Sequence, residues 1–367
     1  MPAPSAPPSP DAASSGAPSA EGQTTDGRQI RLAERRPRLD RERLVRDLVP
    51  PPRFASVSFD SYRPSQDQPS QADAVQRLKR FAEDVGGSGS GSGAGGALRR
   101  LFGRSNGTGA RAGIYLDGGF GVGKTHLLAS LWHAVPGPKS FGTFVEYTNL
   151  VGALGFRGAV DALSACRLVC IDEFELDDPG DTVLMARLLR ELVDAGARLA
   201  ATSNTLPGAL GEGRFAAEDF LREIQAVGSH FDVVRIDGED YRHRGLPAAP
   251  EPLPDDELVA RAAAIDGVAL DDFSALARHL AHVHPSRYGA LLDGVTAVAW
   301  RGVHAVDHQS VALRLVVLAD RIYDRDLPLL VGGDGLDGLF PPDMLAGGYR
   351  KKYYRALSRL TALAREA

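Results

Sequence analysis

Cysteine is almost absent: Cys166 and Cys170 are the only two in 367 residues. Both sit in an apolar run with no C-x-x-C or Cys/His framework, so neither a disulfide scaffold nor a zinc site is read, and a reducing, intracellular compartment is expected. Long apolar runs are missing too. Residues 311–319 form one of the longest and are broken by Arg314, so no membrane span is expected, and no charged start followed by an apolar core marks a secretory signal. Positive charge is not in excess. With 42 basic against 47 acidic residues and a net charge of -5, a general nucleic-acid binder is disfavoured. Lysine is scarce as well, five residues against 37 arginines, a skew that together with abundant Ala and Gly reads as genomic base composition.

Glycine and proline, in contrast, are abundant and bunched. Of 24 prolines, 10 lie within residues 1–52, and residues 86–96 hold 7 of the 41 glycines. The first stretch cannot bury enough apolar surface to offset its ordering entropy, and the second is a flexible surface insertion. Residues 28–46 carry eight arginines interleaved with leucines, which suits a short solvated helix over 39–48. The expected division is 1–48 as a disordered Pro/Ala/Ser-rich tail with a basic segment, 49–245 as a nucleotide-binding domain with a flexible insertion over 86–110, and 246–367 as a lid-like domain.

Between 113 and 236 short apolar runs alternate with helical patterns. Strands are expected at 113–116, 143–147, 167–171, 199–203 and 232–236, with helices at 124–134, 150–163 and 182–194, the signature of an α/β fold: a parallel sheet flanked by helices. The region after residue 246 reads as mostly helical. It admits a few strands, because 296–331 repeats the strand, helix, strand rhythm of 168–203 at an offset of 130 residues, where Asp194 meets Asp324 and Leu199 meets Leu329.

The strongest chemical signal is Gly118-Gly-Phe-Gly-Val-Gly-Lys-Thr125, a complete G-x-x-x-x-G-K-[ST] phosphate loop between a strand and a helix. Gly118, Gly119, Phe120, Gly121, Val122 and Gly123 offer backbone N–H groups to phosphate oxygens, and the helix that follows adds its positive end. Lys124 is expected on the β- and γ-phosphates and Thr125 on Mg²⁺. Next, Leu168-Val-Cys-Ile-Asp-Glu173 describes a buried strand ending in two carboxylates. Asp172 suits the Mg²⁺ and Glu173 suits activation of the attacking water. Asn204 closes the following strand and suits a γ-phosphate contact, although an Asn there is by itself commonly a turn residue. Arg214 and Arg222 are candidates for a finger acting on a neighbouring subunit, and either also reads as an ordinary surface arginine. A weaker candidate set is Arg350, Lys351, Lys352, Arg355 and Arg359, as basic contacts to nucleotide from the lid side. His279, His282 and His284 lack a metal-binding order and read as surface or capping residues. No N-K-x-D pattern marks guanine, so ATP is the default nucleotide.

With these motifs in hand, Ile171-Asp-Glu-Phe174 followed by Asp178 and Asp181, Ala201-Thr-Ser-Asn204 followed by Pro207, and Asp240-Tyr-Arg242 resemble the ZapE cell-division ATPases. These are similar to the mitochondrial ATPase-family-gene-one-like proteins of the AAA+ class. Phe59-Asp-Ser-Tyr-Arg-Pro64, Pro69-Ser-Gln71, Asp320-Arg-Ile-Tyr-Asp324 and Ala356-Leu-Ser-Arg-Leu360 also match, so the resemblance runs from about residue 49 to about residue 363. It implies a P-loop NTPase fold of AAA+ type and an ATPase converting ATP and water to ADP and phosphate. It also implies a homo-oligomer when ATP-bound, a cytoplasmic location at the division site, and FtsZ or another division-ring protein as partner. Alternatives left open are a nucleic-acid-linked AAA+ ATPase of helicase-loader or transposition type and a nucleotide-binding scaffold that switches without turnover.

Overall fold

A computed structural model describes residues 30–37, 41–87, 111–119, 121–176, 179–210, 220–238 and 248–367. Most of the Gly/Ser insertion therefore lies outside the described residues, as do Phe120, Asp178, Arg214 and the run 240–242.

The strands of the first half are short and apolar because helices cover both faces of their sheet. They are β1 (Gly113–Gly118), β2 (Lys139–Thr143), β3 (Leu168–Asp172), β4 (Arg198–Ser203) and β5 (Phe231–Ile236), all parallel, in the order β2-β3-β4-β1-β5. β3 is buried at every position and forms the middle of the sheet with β4. Five helices precede or connect these strands: α1 (Arg41–Arg46), α2 (Pro69–Gly87), α3 (Lys124–Ala134), α4 (Phe144–Leu163) and α5 (Pro179–Asp194), followed by α6 (Leu221–Ser229) before β5. One face of the sheet buries Leu78, Leu116, Leu128 and Cys170, and the other buries Tyr115, Tyr147, Phe174 and Phe231. The strand order within the sheet places β4 between the phosphate-loop strand β1 and the carboxylate strand β3, so the end of β4 opens between the two motifs.

The strand expected at 143–147 is not there. The strand is the preceding segment, β2, and Phe144 already belongs to α4. Thr143 is the cap: its hydroxyl accepts from the Glu146 N–H at 3.3 Å while Glu146 accepts from the Thr143 N–H at 2.7 Å. That reciprocal pair outweighs the strand preference of Phe144, Val145 and Tyr147.

The second half is also α/β. Helix α7 (Asp255–Ala263) leads into β6 (Val268–Asp272), α8 (Phe273–His282), β7 (Ala297–Val303), α9 (Gln309–Asp324) and β8 (Leu329–Gly333), and α10 (Arg350–Arg365) follows. The three strands form a parallel sheet in the order β6-β7-β8. Helices α8, α9 and α10 pack with it around Trp300, Phe273, Leu318 and Leu360. These three short strands are the few that this mostly helical region was expected to admit, and the unit β7-α9-β8 is the one that the 130-residue offset marks. Residues 30–48, grouped with the tail in the sequence reading, are packed where described. Ile30 bridges Ala269 beside β6, Leu32 is buried in the second core, and the Leu48 carbonyl accepts from Phe141 of β2 at 2.9 Å.

Candidate active site

β1, β3 and β4 end together, and their C-terminal ends carry the predicted residues into one site, as the crevice of a parallel sheet requires. The loop after β1 turns through Gly121 (φ +78°) and Gly123 (φ +83°) into α3. At Gly118 a Cβ would lie 2.3 Å from the Ile236 carbonyl oxygen, so only glycine lets the loop leave the sheet there. Tyr62 roofs the loop, donating to the Val122 carbonyl at 2.8 Å.

Lys124 is nearly buried and its ammonium has three acceptors: Gly118 O at 2.8 Å, Gly119 O at 2.5 Å and Asn204 Oδ1 at 2.7 Å. The Asn204 contact joins the strand-end amide to the phosphate loop. Burial pulls the Lys124 ammonium down to about 8, against the opposing pull of Asp172 and Asp117. The Thr125 hydroxyl lies 3.0 and 3.2 Å from the two oxygens of Asp172. Thr202 orders the carboxylate pair: its hydroxyl donates to Asp172 Oδ1 at 2.5 Å and accepts from the Glu173 N–H at 3.0 Å. Converging hydroxyl and carboxylate oxygens form a hard donor set that fits Mg²⁺.

Glu173 itself is unusual. Its backbone is in the left-handed region, φ +52°, a conformation that costs a non-glycine residue on the order of 1 kcal/mol and clusters at functional sites. Its Oε2 lies 2.7 Å from Arg355 Nη1 and its Oε1 2.9 Å from Arg359 Nη2. Both guanidiniums also hold Asp320 of α9, Arg355 at 2.9 Å. Burial works against the Asp320 charge, and Arg355 and Arg359 overcome it, keeping that carboxyl below its usual range. Next to it, Arg321 bonds Glu146 of α4 at 2.7 Å, and burial pushes the Asp324 carboxyl up to about 7. Lys124, Thr125, Asp172, Glu173, Asn204 and the Asp320 ion-pair cluster border one cleft of about 1640 Å³.

Of the predicted residues, the structure brings together Gly118, Gly119, Gly121, Val122, Gly123, Lys124, Thr125, Asp172, Glu173 and Asn204. Arg222 is exposed on α6 and does not line the cleft. Tyr62, Thr202 and Asp320 were not singled out for chemistry. Tyr62 and Asp320 do fall in the runs Phe59-Asp-Ser-Tyr-Arg-Pro64 and Asp320-Arg-Ile-Tyr-Asp324, and Thr202 is the second residue of Ala201-Thr-Ser-Asn204, so family-specific segments were the available signal.

A family model described as AFG1-like ATPase matches residues 57–262 and 246–367. The chain belongs to the AFG1-like ATPase family. Among curated proteins, the cell division protein ZapE of Escherichia coli K12 is 34% identical over 155 residues, 37% of this chain and 40% of that protein. An uncharacterized protein of Schizosaccharomyces pombe is 28% identical over 148 residues, 35% of this chain and 33% of that protein. The chain thus spans two fifths or less of the length of these relatives. Among solved structures, the DnaC helicase loader aligns at a TM-score of 0.35 with 14% identity, covering 50% of this chain and 99% of that one. AMPPCP-bound DnaA of Aquifex aeolicus aligns at 0.35 with 12% identity, covering 85% and 91%. The AFG1-like assignment agrees with the parallel sheet and phosphate loop described above. No helix among the described residues is long and apolar enough to cross a membrane.

Proposed function

We propose that this AFG1-like ATPase binds Mg²⁺ and ATP at the loop 118–125 and hydrolyses ATP to ADP and phosphate. The observation that carries the reading is the convergence of Lys124, Thr125, Asp172, Glu173 and Asn204 at three neighbouring strand ends. The loop amides and Lys124 would cradle the β- and γ-phosphates, and Thr125 and Asp172 would hold Mg²⁺. Bound there, the metal supplies charge neutralisation across the phosphates. Asn204 presents its amide to the γ-phosphate or the attacking water. Glu173 orients that water and takes up its proton.

Hydrolysis in turn drives remodelling or regulation of a protein partner. The ZapE relative is a cell division protein, and by that likeness the partner proposed here is FtsZ or another division-ring protein, met in the cytoplasm at the division site by an ATP-bound homo-oligomer. Arg222 on α6 and Arg214 are the proposed candidates for a finger across its subunit interface.

Lys124→Ala is expected to abolish binding of fluorescent ATP, and Glu173→Gln to keep binding while lowering phosphate release by about 100-fold or more. Equal turnover by wild type and Glu173→Gln overturns the assigned chemistry.

A further inference from the structure

A general base needs a free basic oxygen aimed at water. Here both oxygens of Glu173 are taken by charge-assisted bonds to Arg355 and Arg359, which come from the far end of the chain. The four side chains of this cluster are only 14 to 20% exposed. Two carboxylates and two guanidiniums balance in charge, and each guanidinium holds Glu173 by one edge and Asp320 by another. Buried ion pairs of this kind add little net stability over apolar packing, so stability alone does not account for arginines placed against the proposed base. Arg355 also keeps one buried donor, Nε, without an acceptor.

The same helix reaches the nucleotide side: Arg350, Lys351 and Arg355 line the cleft together with Gly123, Lys124 and Thr125. A γ-phosphate presents more negative charge than a carboxylate and suits the bidentate fork of a guanidinium. ADP lacks that group.

We propose that Arg355 and Arg359 hold Glu173 out of reaction until the γ-phosphate of ATP takes its place on them, with Asp320 keeping both guanidiniums in position during the exchange. The pair thereby distinguishes ATP from ADP and couples the arrival of ATP to release of the base. This inference rests on the ATPase reading.

Its signature is thermodynamic coupling, because a γ-phosphate that must displace Glu173 binds more tightly once that competitor is weakened. Affinities for a fluorescent non-hydrolysable ATP analogue and for fluorescent ADP are measured, with Mg²⁺, for the wild type, Glu173→Gln, Arg355→Lys and the double variant. Lysine keeps the charge opposite Asp320 and loses the fork. Glu173→Gln is expected to tighten the ATP analogue by about fivefold or more and ADP by less than about twofold, and Arg355→Lys to cut that gain to below about twofold. Simple repulsion between Glu173 and phosphate would give the same gain in both backgrounds, and that result overturns the exchange while leaving the ATPase reading intact. A wild type that binds neither nucleotide overturns both. Arg359→Lys supplies a second cycle should Arg355→Lys not fold.

Discussion

Gly123 meets two constraints at once. Its φ of +83° belongs to glycine, and a Cβ there would lie 2.6 Å from Cε2 of the Tyr62 ring that roofs the loop. Gly123→Ala is therefore expected to cost about 1 kcal/mol or more in backbone strain. It should also weaken nucleotide binding, because relief requires moving Tyr62 off Val122. Denaturant midpoints and nucleotide titrations check the two effects separately. Such residues are legible in a sequence because phosphate chemistry leaves no substitute for them: a close backbone approach demands glycine, and a compact ammonium demands lysine in a chain that otherwise uses arginine. Arg355 and Arg359 were only faintly legible for the opposite reason. Among 37 arginines, these two stand out only as weak candidates for a nucleotide contact from the lid side, and only the packing of α10 against α9 brings them to Glu173.

Among the elements, the start of α4 shows how a cap decides between two readings. Phe144, Val145 and Tyr147 favour a strand by propensity, yet Thr143 and Glu146 stand at the spacing of a capping box and begin a helix. That signal was present in the sequence and weaker in appearance than the aromatic run beside it. Thr143→Ala is expected to destabilise the fold by about 1 kcal/mol. Nucleotide affinity should stay unchanged, since Thr143 holds no phosphate-loop residue; thermal unfolding with and without nucleotide checks both. The second sheet was partly hidden because β6 is five residues long and its Val268-Ala-Leu-Asp-Asp272 run offers too few apolar positions to separate strand from helix. The β7-α9-β8 unit was visible through its rhythm, while its partner strand and the packing of helices on both were not.

Across the whole molecule, ion pairs join the two halves: Arg321 with Glu146, Arg355 and Arg359 with Glu173, Arg53 with Asp326. Asp324 sits within this network, facing Arg321, Arg359, Asp320 and Glu146, and burial pushes its carboxyl up to about 7. The folded chain therefore keeps a proton on Asp324 that the unfolded chain releases near pH 4, and the contribution of this group to stability falls as pH rises from about 4 to about 7, then levels. Each unit of raised pKa corresponds to about 1.4 kcal/mol, so the total is a few kcal/mol. Asp324→Asn should remove this contribution, with its Tm advantage over wild type growing between pH 5 and pH 7 and then holding to pH 8; scanning calorimetry across that range tests it, and parallel Tm curves would count against the assignment.

Residues 30–37 and 41–48 touch both sheets at their borders. β2 is one of the two edge strands of the first sheet, and β6 is one of the two of the second. The segment lays Leu48 against one and Ile30 against the other. A row of unpaired N–H and C=O groups invites a strand from another molecule. One short stretch thus shields part of a border in each half of the protein, and the sequence upstream of the nucleotide fold bears on whether copies of the chain stay apart.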